Sequence, residues 1–326
     1  MTVRLSVEDA IAAAALPRYD LSPQATATLI DVSENATYRV DDPETGRRAA
    51  LRVHRPGYRD APEIESELRW MDALRAAGVV DAPAAIPGRH GARVLSVAAE
   101  GECRDVVLFA WLDGTAPSPE DDLTDGFRML GAISAALHEH ARRWPPPPGF
   151  RRPRWEHATM LGADAAWGRW QDGLGVGREE LALLSRLDAV LERRLAAFGT
   201  GPDRFGLVHA DLRLANLLVD DGAVRVIDFD DCGWSWWLYD FATAVSFFED
   251  DPAVPALAAA WADGYRTVAP LSAADEAELE TFVLLRRLLL VAWVGSHQHA
   301  PEAQELGAAF TAGTCALAES YLSRFT

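Results

Sequence analysis

The segment from Leu207 to Asp231 constrains this chain more than any other. It reads Leu-Val-His-Ala-Asp-Leu-Arg-Leu-Ala-Asn-Leu-Leu-Val over 207–219, then Asp-Asp-Gly, then Ala-Val-Arg-Val-Ile-Asp-Phe-Asp-Asp over 223–231. Two apolar runs around an Asp-Asp-Gly turn predict a β-hairpin. Asn216 and Asp228 lie six residues either side of Gly222, so the hairpin carries both to its open end, and Asp211 precedes that end by five residues. Carboxylates and an amide carbonyl that converge in this way suit a hard divalent cation such as Mg2+, not zinc. Any one of these residues could be an ordinary loop-end polar group; their joint spacing marks a site.

The rest of the chain divides into a strand-rich first third and a helical remainder. Ser6 caps a helix over 6–16, with Asp9 three residues on and Pro17 past its end. Residues 26–53 alternate β-branched and polar side chains, broken by turn residues at 33–35 and 41–46, which predicts three antiparallel strands. Ile64, Leu68, Met71 and Leu74 recur at helical spacing over 61–77, closed by Gly78. Two further strands are expected near 93–98 and 105–111. Beyond residue 111 the pattern is helical, with helices over 123–137 and 178–198 and three more filling 236–326; the strand-rich island at 206–230 interrupts it. Pro145 to Pro148 reads as a stiff connector. The expected class is α+β, with a strand-rich lobe over 1–111 and a helical lobe over 112–326.

Within the first lobe, a helical wheel puts Glu67 between Met71 and Leu74 on the apolar face. A carboxylate there needs a partner. Arg52 is the candidate, because strand alternation sets it opposite the face of Leu51 and Val53.

The wording His-Ala-Asp-Leu-Arg-Leu-Ala-Asn over 209–216, followed by Val-Ile-Asp-Phe-Asp-Asp over 226–231, resembles the aminoglycoside phosphotransferase and choline kinase branch of the protein-kinase-like fold. That branch includes homoserine kinase-like and stress-response kinase-like members. The segments 33–39, 50–57 and 107–114 resemble, in order, its phosphate loop, third strand and hinge. The resemblance implies a two-lobe kinase-like fold, a small antiparallel sheet beside a larger helical lobe, with ATP and Mg2+ as cofactors. It implies that Asp211 accepts or orients the substrate hydroxyl, and that Asn216 and Asp228 hold Mg2+. His209 would support the loop and Asp240 would brace it. Ser33 and Asn35 would meet the phosphates, Arg52 with Glu67 would clamp them, and the backbone near Phe109 and Trp111 would hold adenine. The family's usual residue at the clamp is lysine. This chain contains no lysine at all, every one of its 31 basic residues being arginine.

Trp234, Trp236, Trp237 and Tyr239 follow the metal strand, with Asp230 and Asp231 beside them. Aromatic faces and carboxylates can hold an ammonium-bearing acceptor, and Asp230, Trp234 and Trp236 are the candidates; core packing explains the aromatics equally. The function expected is phosphoryl transfer to a small amino alcohol such as a hydroxylated amino acid, a choline-like compound or an aminoglycoside. A stress-response Ser/Thr protein kinase and a catalytically silent nucleotide-binding module are the alternatives. A formal charge of −18 disfavours nucleic acid as a partner. No apolar run approaches a membrane span, and three scattered cysteines without a CxxC pair suit a reducing cytoplasm.

Overall fold

Alternation in the first third does produce strands. The computed structural model describes residues 6–32, 34–163 and 165–325. Helix α1 (Val7–Ala15) is capped by Ser6, whose side chain accepts from the Asp9 N–H while the Asp9 carboxylate accepts from Ser6 N. Strands β1 (Thr26–Val32), β2 (Ala36–Asp42) and β3 (Arg47–Val53) form an antiparallel meander. Helix α2 (Ala61–Ala76) follows, capped by Asp60 and ended at Gly78, whose φ is +65°. Short β4 (Ala85–Ile86), β5 (Leu95–Ala99) and β6 (Glu102–Ala110) complete a sheet of order β1-β2-β3-β6-β4, with β5 also paired to β6. Glu100 and Gly101 both have positive φ, the backbone of a tight primed hairpin turn. Under α1 the sheet buries Tyr38, Leu51, Val53, Val97, Val106 and Leu108 against Ile11, Ala12 and Ala15.

The chain separates into two compact units. The first runs to Asp113 and also takes Pro146–Arg151, while the second comprises Gly114–Pro145 and Arg152 onward. The expected connector at 145–148 lies where the chain passes from the second unit to the first. Arg151 N donates to Ser66 Oγ of α2 at 3.0 Å, and its guanidinium pairs with Asp60, so this stretch is tied to the first unit.

In the second unit the described elements are α3 (Thr124–Arg143), α4 (His157–Leu161), α5 (Arg178–Phe198), β7 (Phe205–Val208), β8 (Leu217–Asp220), β9 (Ala223–Val226), β10 (Gly233–Trp236), α6 (Tyr239–Ala244), α7 (Val254–Arg266), α8 (Ala273–Glu276), α9 (Leu279–Ser296), α10 (Pro301–Leu306) and α11 (Ala309–Phe325). The stretch from 236 onward thus holds six helical segments rather than three. Pro255 opens α7, Pro301 opens α10 and Gly307, at φ +51°, closes it, so the breakers set the count. Helix α9 is buried on every side, nearly every residue from Leu279 to Val294 being inaccessible, which makes it the central helix of the unit.

Helices α3 and α7 meet through two glycines. A Cβ on Gly264 would sit 1.8 Å from Arg128 O, and one on Gly131 2.0 Å from Trp261 O. The contact exists only because both side chains are absent. Gly264→Ala should force the pair apart and destabilise the protein by about 3 kcal/mol, measured by chemical unfolding, whereas Gly126→Ala, where nothing lies within 4 Å, should not destabilise it.

Candidate active site

The β8–β9 hairpin forms with a register centred between Asp221 and Gly222. Leu217 pairs with Val226 and Asp220 with Ala223. Ile227 N donates to Asn216 O at 2.9 Å, so Asn216 lies opposite Ile227 and Asp228 is one residue further out. Both therefore sit at the open end, half a residue out of the symmetry expected. Asp228 has φ +60° and ψ +68°, a left-handed backbone that a non-glycine residue adopts only where its surroundings impose it.

The loop before β8 is suspended from one buried carboxylate. Asp240, at the start of α6, accepts from Ala210 N at 2.8 Å through Oδ1 and from His209 N at 3.4 Å through Oδ2. Its Oδ2 also meets His138 Nε2 at 2.8 Å, and His138 Nδ1 meets Tyr265 Oη at 3.1 Å. Thr243 Oγ1 accepts from Leu212 N at 2.9 Å. These bonds hold Ala210 at φ +66° and turn Asp211 out of the core.

His209 links loop to hairpin. Its Nε2 donates to Ile227 O at 3.1 Å, and its Nδ1 accepts from Asp211 N at 3.2 Å, which selects the Nε2–H tautomer. Burial pushes its pKa below the ordinary histidine value, against the opposing pull of Asp240, Asp211 and Asp228. The ring is a neutral support, packed 4.4 Å from Phe229.

Asp211 is held at both oxygens. Asn216 Nδ2 donates to Oδ2 at 2.7 Å and to the Asp211 carbonyl at 2.9 Å. Arg286 Nη2, from α9, donates to Oδ1 at 2.7 Å, and Arg213 Nε lies 3.5 Å from Oδ2. With Nδ2 committed to Asp211, the carbonyl Oδ1 of Asn216 is its end for a cation. Among the described residues no group of three or more His, Cys, Asp or Glu could enclose a metal. Asn216 and Asp228 offer two hard oxygens, which fits a Mg2+ that completes its shell with phosphate and water oxygens.

Two buried arginines thus attend the loop. Burial opposes the charge of Arg286, but Tyr239, Asp211 and Asp231 outweigh it and keep the guanidinium protonated beyond the usual arginine range. For Arg213, Asp211, Glu302 and Asp228 do the same against burial. Arg213 Nη1 also bonds Glu302 Oε2 at 2.9 Å. Burial pushes the Tyr239 phenol up to about 12 despite Arg286 beside it. The sequence reading did not single out Arg286. The signal it could have used was a pair of arginines inside a run otherwise fit for a core, where a charge requires a partner.

In the first unit Arg52 and Glu67 form the expected ion pair, Nη1 to Oε1 at 2.8 Å, both buried. The Arg52 guanidinium lies 5.0 Å over the Phe109 ring. Phe109 is paired with Ala50 on one side and Ala85 on the other, so its backbone belongs to the sheet. Trp111 lies past the strand end, its indole N–H donating to Asp113 Oδ1 at 3.1 Å. Asn35 Oδ1 accepts from Arg55 N at 3.0 Å and ties the β1–β2 turn to the end of β3. Ser33 lies outside the described residues.

The acceptor candidates separate. Asp230 is buried, with its carbonyl accepting from the Arg152 guanidinium. Trp234 is half-buried on β10, bound through its backbone to Pro153 and Trp155. Trp236 is a core residue. Its ring packs against Phe205 and Phe282 at 5.6 Å each, and its indole N–H donates to Gly199 O at 2.8 Å. These contacts tie it to β7 and α9.

Residues 26–280 match the model of the phosphotransferase enzyme family. The chain belongs to that family. A microcompartment-associated aminopropanol kinase of known structure is 50% identical, with a TM-score of 0.89 over 96% of this chain and 97% of that one. An amicoumacin kinase solved with AMP-PNP, Ca2+ and amicoumacin shares the fold at 21% identity and a TM-score of 0.74, covering 93% and 91% of the two chains. Among curated proteins, the amicoumacin kinase of Bacillus subtilis is 24% identical over 72% of this chain, and the match spans 66% of that protein, just under two thirds of its length. An uncharacterised protein of Deinococcus radiodurans is 33% identical over 81% of this chain and 75% of its own. Among the described residues no helix is long and apolar enough to cross a membrane.

Two measurements check this geometry. Arg52→Met leaves Glu67 buried without its arginine and should cost about 3 kcal/mol in denaturant unfolding, with Arg52→Lys costing less. His209, with its folded pKa below the unfolded value of about 6.5, favours the fold above that pH, and this contribution fades as pH falls toward the folded value. Its imidazole resonances should therefore shift less between pH 7.5 and 6 in the native protein than in the unfolded chain.

Proposed function

We propose that this chain is an ATP- and Mg2+-dependent kinase that transfers the γ-phosphate to a hydroxyl of a small amino alcohol. One observation carries the reaction class: Asp211 is fixed by Asn216 at the open end of a hairpin that also presents Asp228. The acceptor class is supported by the 50% identity to an aminopropanol kinase.

In this reading Asp211 receives the acceptor hydroxyl as a hydrogen bond and points its oxygen at the γ-phosphorus. The oxygen–phosphorus bond forms as the bond to the bridging oxygen breaks, ADP departs, and the hydroxyl proton passes to Asp211. In a loose transition state that proton leaves late, so orientation counts for more than basicity. Asn216 and Asp228 would hold Mg2+, which when bound neutralises phosphate charge. Arg52, oriented by Glu67, would grip phosphate oxygens with a permanently charged two-pronged donor where lysine would offer a point charge. Its buried pairing supports an Arg-based clamp over a silent module.

The roles of the two aspartates separate in experiment. Asp228→Ala should weaken Mg·ATP binding and abolish transfer. Asp211→Asn should bind Mg·ATP like the parent while kcat falls about 100-fold or more. Calorimetry with Mg·ATP, followed by turnover with a panel of amino alcohols, aminoglycosides and proteins, tests both the roles and the acceptor. Phosphate recovered on a protein side chain, with every small acceptor inert, would replace this reading with a protein kinase.

A further inference from the structure

Two adjacent arginines of α9 are equally buried, at 3% and 2% exposure, yet they serve different neighbours. Arg287 bonds Glu249 Oε2 at 2.5 Å and Thr314 Oγ1 at 2.9 Å, and its guanidinium lies 3.7 Å from the centre of the Phe310 ring. Those contacts join α9 to α11 and to the turn at 247–251, and none reaches Asp211. Arg286 donates Nη2 to Asp211 Oδ1 at 2.7 Å, Nη1 to Tyr239 Oη at 3.2 Å and Nε to Ser246 Oγ at 3.1 Å. Its guanidinium also lies 5.1 Å from the centre of the Trp167 ring.

We infer that Arg286 is a positioning residue for phosphoryl transfer, setting the rotation of the Asp211 carboxylate so that the acceptor hydroxyl meets one defined lone pair. The inference rests on the kinase reading above. A carboxylate turns easily about its Cβ–Cγ bond, with a broad two-fold preference, and it offers about four acceptor positions. Asn216 holds one oxygen from the loop itself, where it ends a three-residue 3-10 turn. Arg286 holds the other from the central helix, so the carboxylate plane is fixed at two ends by elements far apart in sequence. The guanidinium is itself fixed, because Ser246, Tyr239 and Asp211 each take a different nitrogen. A planar fork so satisfied loses little further freedom when it holds Asp211. Arg213, 3.5 Å from Oδ2 and bound to Glu302, cannot replace it at Oδ1.

A buried guanidinium in an apolar helix is costly unless matched. Arg287 shows what a purely structural solution looks like one residue away, and it provides the control. Steady-state kinetics with an amino alcohol acceptor and calorimetry with Mg·ATP would be measured for the parent, Arg286→Met, Arg286→Lys, Tyr239→Phe and Arg287→Met. Arg286→Met should lose about 100-fold in kcat, the scale of a misplaced reacting group. Its ATP KM and Mg·ATP affinity should stay within about threefold of the parent. Arg286→Lys, which keeps the charge, should recover about tenfold of the lost rate, and Tyr239→Phe, which releases one nitrogen of the fork, should cost about threefold to tenfold in kcat. Arg287→Met should lower the melting temperature and leave kcat within about threefold. Equal kcat losses in Arg286→Met and Arg287→Met would mean general loosening and overturn the inference, as would a kcat loss in Arg286→Met matched by lost nucleotide affinity. If Arg286→Met does not fold, parent-like kcat in both Arg286→Lys and Tyr239→Phe overturns it. A parent that phosphorylates no acceptor overturns the kinase reading and the inference together, whereas an active parent with an indifferent Arg286→Met overturns the inference alone.

Discussion

The buried carboxylate of Asp240 is the interaction on which the candidate site depends. It accepts backbone N–H groups from two successive loop residues, His209 and Ala210, which no helix or strand could satisfy at that point. An unpaired buried N–H is expensive, so the loop is compelled to follow the carboxylate. That compulsion sustains the left-handed backbone of Ala210, and Asp211 follows directly from it. His138 and Tyr265 keep Asp240 in place from α3 and α7, and those helices approach closely enough only because Gly131 and Gly264 carry no side chain. A packing feature of two helices is thereby coupled to the aim of a single carboxylate in a loop.

Charge is arranged around Asp211 by the same logic. The side chain is mostly buried, yet each oxygen has a donor, and Arg213 and Arg286 are themselves held by Glu302 and by Tyr239 and Ser246. The neutral imidazole of His209 contributes shape and hydrogen bonds without adding a third positive charge beside two guanidinium groups. In the first unit the same chemistry recurs at Arg52 and Glu67. With no lysine in the chain, every buried cation is a planar fork that can be satisfied along several directions at once.

Much of this could be read from local pattern. The hairpin was legible because two apolar runs flank one turn, and period-two alternation carries residues to its open end whatever surrounds it. The true centre lies half a residue from Gly222, since pairing fixes register by hydrogen bonds and not by the position of the glycine. Glu67 was legible because a helix of known period leaves one side for the core. For Trp236 the sequence left core packing and acceptor contact open, because an aromatic after the hairpin reads the same whether its ring faces solvent or Phe205 and Phe282. The helix count after residue 236 failed where the breakers Pro255, Pro301 and Gly307 were not used.

The sequence by itself determined which atoms could do chemistry: the spacing of Asp211, Asn216 and Asp228, the strand class of 26–53, and the pairing of Arg52 with a carboxylate on α2. These follow from periods of two and 3.6 residues, which act over a few turns of chain. Tertiary structure alone decided that Arg286 rather than Arg287 meets Asp211. The two residues are adjacent, of one type and equally buried, and a helix sets them about 100° apart. Which of them faces the loop depends on the rotation of α9 within its unit, fixed by the packing of a helix that is buried on every side. Two adjacent arginines in such a helix carry no mark in its own sequence of which one meets the loop.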